Sequence, residues 1–450
     1  MIKKNIVISI FTLIFKVAVA QQQTNAFTLQ QAIDYSIKNS PNYLNAELDQ
    51  KNAVYRKNEI TGLGLPQIEG SIDIKDYIDI PTSLLPGTFF GFPADVYIPV
   101  KFGTKYNTTA GFSASQLIFS SDYIFGLKAA KEFLNLSKIN TLRTKSELVA
   151  SVSKAYYNVI INKERNKLLQ ANVDRIKKIY DETKAFNQQG FVELIDVERL
   201  EVQYNNLKTE KEKTDRLIEL SEAMLKFQMG YKINDPISLS DSLSSNTNDA
   251  SELNVSKIDV TKRPDYQLLE SQQKLNIIDV KRLKMGYLPT LAAYGSYQFN
   301  TQRSNFEFDI NKNNALKQWY KISLIGATLN LSIFDGLQRY NKIQQAKITS
   351  QKAENTIKNL ELGAQLEANA ASISYINAQA TLTTQKQNMA LAEHVYDVTQ
   401  KKYTQGVGTN LDIVTAETSL KEAQTNYLSA VYDMLVAKID YQKAIGTLVK

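Results

Sequence analysis

Few side chains in this chain could carry covalent or metal chemistry. Among its 450 residues there is no Cys and a single His, His394. Without Cys there is no thiol nucleophile, disulfide framework or thiolate metal site. One imidazole excludes any site that needs two, and leaves a Ser-His-Asp triad a poor fit. His394 lies in a long helical stretch with no Cys or acidic neighbour in a ligand pattern, so it reads as a surface or seam residue. Gly62 and Gly64 read as a helix-to-strand break rather than a nucleotide loop. No enzymatic activity, metal or cofactor is therefore expected. What remains is electrostatic: a Gly-x5-Asp pattern stands at matching places in the two halves of the chain, as Gly190 with Asp196 and Gly406 with Asp412.

The 53 Lys and Arg against 46 Asp and Glu give a net charge of +7, with the two signs interspersed. Nucleic-acid binding would need a basic stripe, and none is present. Hydrophobic residues make up 43%, enough for a packed core. At roughly 150 residues per domain the length suggests about three domains.

The first twenty residues read as an address. Lys3 and Lys4 precede an apolar stretch at 6–15, and Ala18 and Ala20 flank Val19 as a small-x-small cleavage site. That is the pattern of a secretory signal peptide over 1–20. No later run of 18 apolar residues offers a transmembrane helix, so the exported chain either stays soluble or enters a membrane as a β-barrel.

The elements that must position the two Gly-x5-Asp patterns are themselves duplicated. Ser40-Pro41-Asn42-Tyr43 resembles Arg263-Pro264-Asp265-Tyr266, and Leu65-Pro66 resembles Leu288-Pro289, both at an offset of 223. Tyr180-Asp181, Gln189-Gly190, Glu201 and Gly230 match Tyr396-Asp397, Gln405-Gly406, Glu417 and Gly446 at an offset of 216. One register held over such a distance indicates an internal duplication. The expected parts are a first repeat at 21–234, a Ser, Asn and Asp-rich irregular connector at 235–257, and a second repeat at 258–450. The first repeat is eight residues longer between its Leu-Pro and the following strand, which marks a surface loop.

Within each repeat the expected order is helix, two strands, two long helices. Thr28 with Gln31 forms a capping-box signature, opening a helix at about 28–62 interrupted near Pro41. After each Leu-Pro the period changes to two. Ile68, Gly70, Ile72 and Ile74 alternate with Glu69, Ser71, Asp73 and Lys75. Three further runs behave alike, giving strands at about 66–79, 104–119, 289–301 and 320–334. Each can reach the ~10 residues of a transmembrane strand, with aromatic residues near the ends where an interfacial girdle would sit. The remainder is helical. Residues 125–188 hold no Pro and one Gly, Gly126, a run on the order of 95 Å if helical. Leu420, Ala423, Tyr427, Ala430, Met434, Ala437 and Tyr441 recur at alternating spacings of 3 and 4, a coiled-coil seam. Tips are expected near 190–196 and 406–412.

Four strands cannot close in a membrane, because an open edge leaves backbone groups unpaired in hydrocarbon. Two chains would supply eight strands and three would supply twelve. On the signal peptide, the duplicated unit, the Leu-Pro marks and the twin Gly-x5-Asp patterns, the chain resembles the TolC family of outer-membrane efflux and secretion channels. The segment from Leu85-Pro86-Gly87 to Tyr106-Asn107 is similar to the external loop of its Bacteroidetes-type members. The resemblance implies a mixed α and β fold: four strands per chain, shared in a trimeric transmembrane β-barrel, continuous with a long periplasmic α-helical coiled-coil barrel. It implies a homotrimer in the outer membrane, in contact with its lipid. A periplasmic adaptor and an inner-membrane RND or ABC pump would dock at the far end. The duct would serve tripartite efflux or type I secretion.

By matching position, the periplasmic gate falls on Asp196, with Tyr403 as its hydroxyl partner, and on Asp412 in an acidic ring; the alternative is that both acids only cap or solvate their hairpins. The tip turns fall on Gly190, Gly406 and Gly408. Gly408 stands where the family has a gate arginine, and Thr415 where it has a second aperture aspartate, so the ionic lock and half of the acidic ring are missing. The competing reading, from the same elements, is a trimeric coiled-coil adhesin or envelope spacer, anchored by a small barrel without a conducting lumen.

Overall fold

The structure, a computed structural model, describes residues 26–241, 259–307 and 318–449. The expected signal peptide and most of the expected connector lie outside the described residues. In chain order the elements are β1 (Ala26–Phe27), α1 (Leu29–Asn39), α2 (Pro41–Gly62), β2 (Gln67–Asp76), β3 (Thr82–Pro86), β4 (Tyr97–Lys101) and β5 (Tyr106–Phe119). There follow α3 (Ser121–Gln188), α4 (Leu194–Met229), β6 (Ser238–Leu239), α5 (Pro264–Met285), β7 (Thr290–Arg303), β8 (Tyr320–Asn330), α6 (Gln338–Thr404) and α7 (Asn410–Ala444).

Two compact units divide the chain, rather than the three suggested by length. Neither follows sequence order: one combines 1–50, 137–269 and 356–450, the other 51–136 and 270–355. Each draws on both halves of the chain.

The first unit is helical. α1 starts at a reciprocal cap in which the Thr28 hydroxyl accepts from the Gln31 amide and the Gln31 side chain accepts from the Thr28 amide, satisfying two of the helix's free N–H groups. Leu148, Val152, Tyr156 and Val159 of α3 are buried with Leu225 and Met229 of α4, and with Phe27 and Ala32. The Tyr156 hydroxyl donates to the Phe27 carbonyl at 2.8 Å, and burial raises its pKa. β6, placed inside the expected irregular connector, pairs in parallel with β1. Of the expected α7 seam, Leu420, Ala430, Met434 and Tyr441 are buried.

Both helical hairpins close the unit in the same way. Gly230 follows α4 at φ +68 against the carbonyl of Asn39, just before Pro41. Gly446 follows α7 at φ +73 against Lys262 and Arg263, just before Pro264. Each Pro occupies the first helical position, where its missing N–H is no loss. Buried Arg263 adds a clasp, donating to the Ala444 carbonyl at 3.1 Å and to Glu367 at 2.7 Å. Gly230→Ala should lower stability by at least about 1–2 kcal/mol, the cost of a side chain in the left-handed region, because its Cβ also meets the Asn39 backbone. Thermal unfolding followed by helical circular dichroism would measure it, and an unchanged midpoint would contradict the packing.

The second unit is built on a four-stranded antiparallel sheet in the order β2-β5-β7-β8. Directly paired residues share a face, so the register fixes both faces. Ile68, Ala114, Gly295 and Ile325 form one row; Gly70, Phe112, Tyr297 and Ser323 the next; Ile72, Ala110, Phe299 and Lys321 the third. The alternating apolar sets of all four strands therefore fall on one face. Opposite lie Glu69, Ser71 and Asp73, with Ser113, Thr109, Ser296, Gln298 and Asn300. The Asn300 amide donates to Asn107 at 2.7 Å and Thr109 at 2.9 Å across that polar face. A bulge at Ile118 shifts the β5–β7 register. Toward Tyr320, β8 breaks the expected pattern: Ile322 and Leu324 sit on the polar face. The extra length in the first repeat is a β3–β4 hairpin with a short 3-10 turn at Gly87–Phe90, not a plain loop. β8 ends at Asn330, four residues before the expected limit.

Candidate functional site

The two Gly-x5-Asp patterns are the same construction. In each, the Gly follows a long helix in the left-handed conformation, Gly190 at φ +80 and Gly406 at φ +75. The next amide reaches back to the last turn, Phe191 to the Phe186 carbonyl at 3.0 Å and Val407 to the Lys402 carbonyl at 3.0 Å. This is the Schellman closure, which requires φ > 0 and so favours Gly. The Asp lies in the first turn of the following helix, Asp196 in α4 and Asp412 in α7, where the helix dipole favours an acid. Gly408 is needed for space: a Cβ there would lie 2.9 Å from the Tyr403 amide nitrogen.

Asp412 accepts from the Thr409 amide at 3.1 Å and the Thr409 hydroxyl at 2.7 Å, closing a capping box. These hydrogen bonds hold its carboxyl below the usual range, helped by Lys402. It is the fixed, ionised acid of the second tip.

The structure does not bring Asp196 and Tyr403 together as expected. Asp196 lies 3.6 Å from Arg199 on its own helix, and its backbone carbonyl accepts from Asn410 at 3.4 Å. The Tyr403 hydroxyl instead meets the Thr183 hydroxyl at 2.8 Å. The helix end at Tyr403 is therefore tied to α3, not to the first turn of α4. Thr183 is buried and occupies a slot that continues the Val173, Ile176 and Ile179 seam. A lone hydroxyl at an apolar position was its only sequence signal.

A second polar feature of this region also went unread. Glu417 of α7 is fully buried, with its carboxylate 3.4 Å from the Arg175 guanidinium of α3. Arg175 also donates to Asn172 and lies over the Tyr396 ring, 5.2 Å from its centroid. Asn172 continues the network to Gln424 at 3.0 Å. Burial pushes the Glu417 pKa up, opposed by Arg175 and Lys421. In the sequence this residue served only as a repeat match to Glu201; its place between Ala416 and Leu420 on the buried stripe was the signal.

Among the described residues no group of His, Cys, Asp and Glu could hold a metal ion, and no helix is long and apolar enough to cross a membrane. His394 is exposed on α6.

Residues 268–447 match the model of the outer membrane efflux protein family. Outer membrane protein TolC of Vibrio cholerae is 20% identical over 344 residues, covering 76% of this chain and 77% of that protein. A probable efflux pump outer membrane protein, TtgC of Pseudomonas putida, is 22% identical over 353 residues, covering 76% and 69%. In fold, the chain is similar to the outer membrane channel CmeC of Campylobacter jejuni, with a TM-score of 0.72 at 16% identity over 93% of this chain and 85% of that one. Together with the two-faced sheet and paired helical hairpins, these likenesses support a TolC-family channel of the outer membrane.

Proposed function

We propose that three copies share one twelve-stranded barrel whose lumen is the exit duct of a tripartite efflux system, and that this follows from a duplicated chain. The observation that carries the reading is the sheet. Its outer strands β2 and β8 leave edges of 10 and 11 residues without a partner among the described residues, and one of its faces is apolar. Each unmatched N–H or C=O in hydrocarbon costs several kcal/mol. Pairing β2 of one copy with β8 of the next removes those edges until the ring closes. Exposed Leu217, Leu220, Met224 and Phe227 recur at spacings 3, 4 and 3 on α4, a stripe suited to a neighbouring copy. Antibiotic and toluene efflux, named for two Pseudomonas putida relatives, favours toxic small molecules as cargo. Secreted proteins, through type I secretion, are the other class the same lumen would fit.

In this reading the tips are the gate and the docking end. Exposed Phe191, Leu194, Val407 and Leu411 offer apolar surface for a periplasmic adaptor, which links the duct to an inner-membrane RND or ABC pump. Three Asp412 carboxylates ring the aperture. The Tyr403–Thr183 hydrogen bond holds α6 against α3 in the closed state. One such bond is worth about 1 kcal/mol, enough to bias closure and little enough for docking to reverse.

Purified protein in planar bilayers tests this. A duct has trimer mass and gives cation-selective conductance. An adhesin or spacer gives no conductance, which would sink the channel reading. Asp412→Asn preserves an acceptor for Thr409 but removes the charge, so cation selectivity should fall while the melting curve stays in place. Tyr403→Phe should raise the open-to-closed ratio about fivefold, as loss of about 1 kcal/mol requires. An unchanged ratio would remove Tyr403 from the gate.

A further inference from the structure

The apolar face of the sheet is not smooth. Phe112 and Tyr297, paired across β5 and β7, stand as a ridge. The row on one side carries Ala114 with Gly295, the row on the other carries Ala110, and Gly70 leaves the end of the ridge row bare, giving hollows of about 590 and 430 Å³. Beside the ridge the same face carries a cation. Lys321 pairs with Phe299 and rests its ammonium 4.8 Å from the centroid of the Tyr297 ring. Among the described residues no carboxylate forms an ion pair with it.

Resting on the membrane reading above, the apolar face meets lipid, and an unpaired Lys there needs an anion. Its depth says which kind. Ile325, 94% exposed, is the middle residue of β8. Lys321 lies four residues away, about 14 Å along the strand at ~3.4 Å per residue, or roughly 10 Å of height at a tilt near 40°. That is close to the edge of an apolar band about 25 Å tall, from which a Lys side chain reaches the lipid headgroups. The sheet end it occupies, with Tyr106 and Arg303, is the one opposite the ends that lead into α2, α3, α5 and α6. With those helices in the periplasm, Lys321 faces the outer leaflet.

We infer that this face holds a binding site for a phosphate-bearing, acylated lipid of the outer leaflet, with the phosphate on Lys321 and acyl chains in the hollows beside Phe112 and Tyr297. The hollows supply apolar contact that flat barrel wall lacks, and the aromatic ring holds the ammonium at the hollow's rim until a phosphate takes it.

The test uses the full-length protein in detergent, with lipid A and dephosphorylated lipid A as probes and bound lipid read by native mass spectrometry. Wild type should retain lipid A. Lys321→Gln should bind it about fivefold more weakly, the effect of one cation at a membrane surface, and bind the dephosphorylated form as wild type does. Ala114→Phe, which fills one hollow, should weaken both. Equal retention of lipid A by wild type and Lys321→Gln overturns the site, as does wild type that retains neither lipid. Conductance of the same preparations separates the two readings. Conducting protein indifferent to Lys321 overturns the lipid site alone, whereas protein that neither inserts nor conducts overturns both.

Discussion

Arg175→Met should destabilise the protein by about 3–5 kcal/mol, because it strands a buried carboxylate. Glu417 has no exposure to solvent, and Arg175 is the cation whose guanidinium reaches its oxygens, at 3.4 Å. Removing both partners is a different matter. The pair is surrounded by Leu169, Val173, Ile176, Ile413 and Leu420, and buried ion pairs are often replaced by apolar side chains without loss. Arg175→Met with Glu417→Leu should therefore recover most of the deficit, and a double variant as unstable as the single would refute the ion-pair account. The deficit should also depend on pH. Burial already raises the Glu417 pKa above its ordinary 4.5, and loss of Arg175 raises it further. A carboxyl that holds its proton more tightly when folded stabilises the fold most below its unfolded pKa, and loses that contribution as pH rises through the folded value. Arg175→Met should thus be closer to wild type at pH 5 than at pH 8. Glu417→Gln, which has no charge to lose, should erase that trend. Thermal melts of the helical signal at the two pH values measure both effects.

Ile325→Arg should prevent stable insertion, whereas Gln298→Arg should not. Both are in the same sheet, on adjoining strands. Ile325 belongs to the row with Ile68, Ala114 and Gly295; Gln298 belongs to the row with Ser71 and Gly111. An Arg on the lipid face near the midplane costs about 2–4 kcal/mol per copy, while lumen substitutions tune selectivity. In the proposed barrel three copies would multiply the first cost. Gln298→Arg should insert normally and shift ion selectivity toward anions. Folding yield into vesicles and reversal potentials would show this, and the opposite ranking would invert the assignment of the faces.

Much of this architecture was legible because its signals are local and periodic. The alternation in each strand named the residues of the apolar face, and pairing brought all four sets into register on one side. The Thr28 and Gln31 cap, the Pro at helix starts and the Gly after helix ends were readable, since each meets a requirement of its own backbone. The 223-residue and 216-residue offsets identified repeated segments but did not show that the compact units would cut across them. That depends on which distant segments pack together, which no local pattern carries.

At the tips the same division holds. Gly190, Gly406, Asp196 and Asp412 were found by spacing, and the structure gives the spacing a physical cause: a left-handed closure followed by an acid in the first turn. The partner of Tyr403 could not be read, because Thr183 lies 220 residues away and only the packing of α6 on α3 joins them. The Arg175–Glu417 pair, 242 residues apart, was missed for the same reason. So was Lys321, whose place on the apolar face is set by the register of β8 against β7. The sequence by itself determined the long helices, the four main strands with most of their faces, and the helix-ending turns, because those follow from backbone chemistry within a few residues. The tertiary structure alone decided which polar groups meet, since hydrogen bonds and ion pairs between distant segments depend on ångström-scale packing that periodicity does not specify.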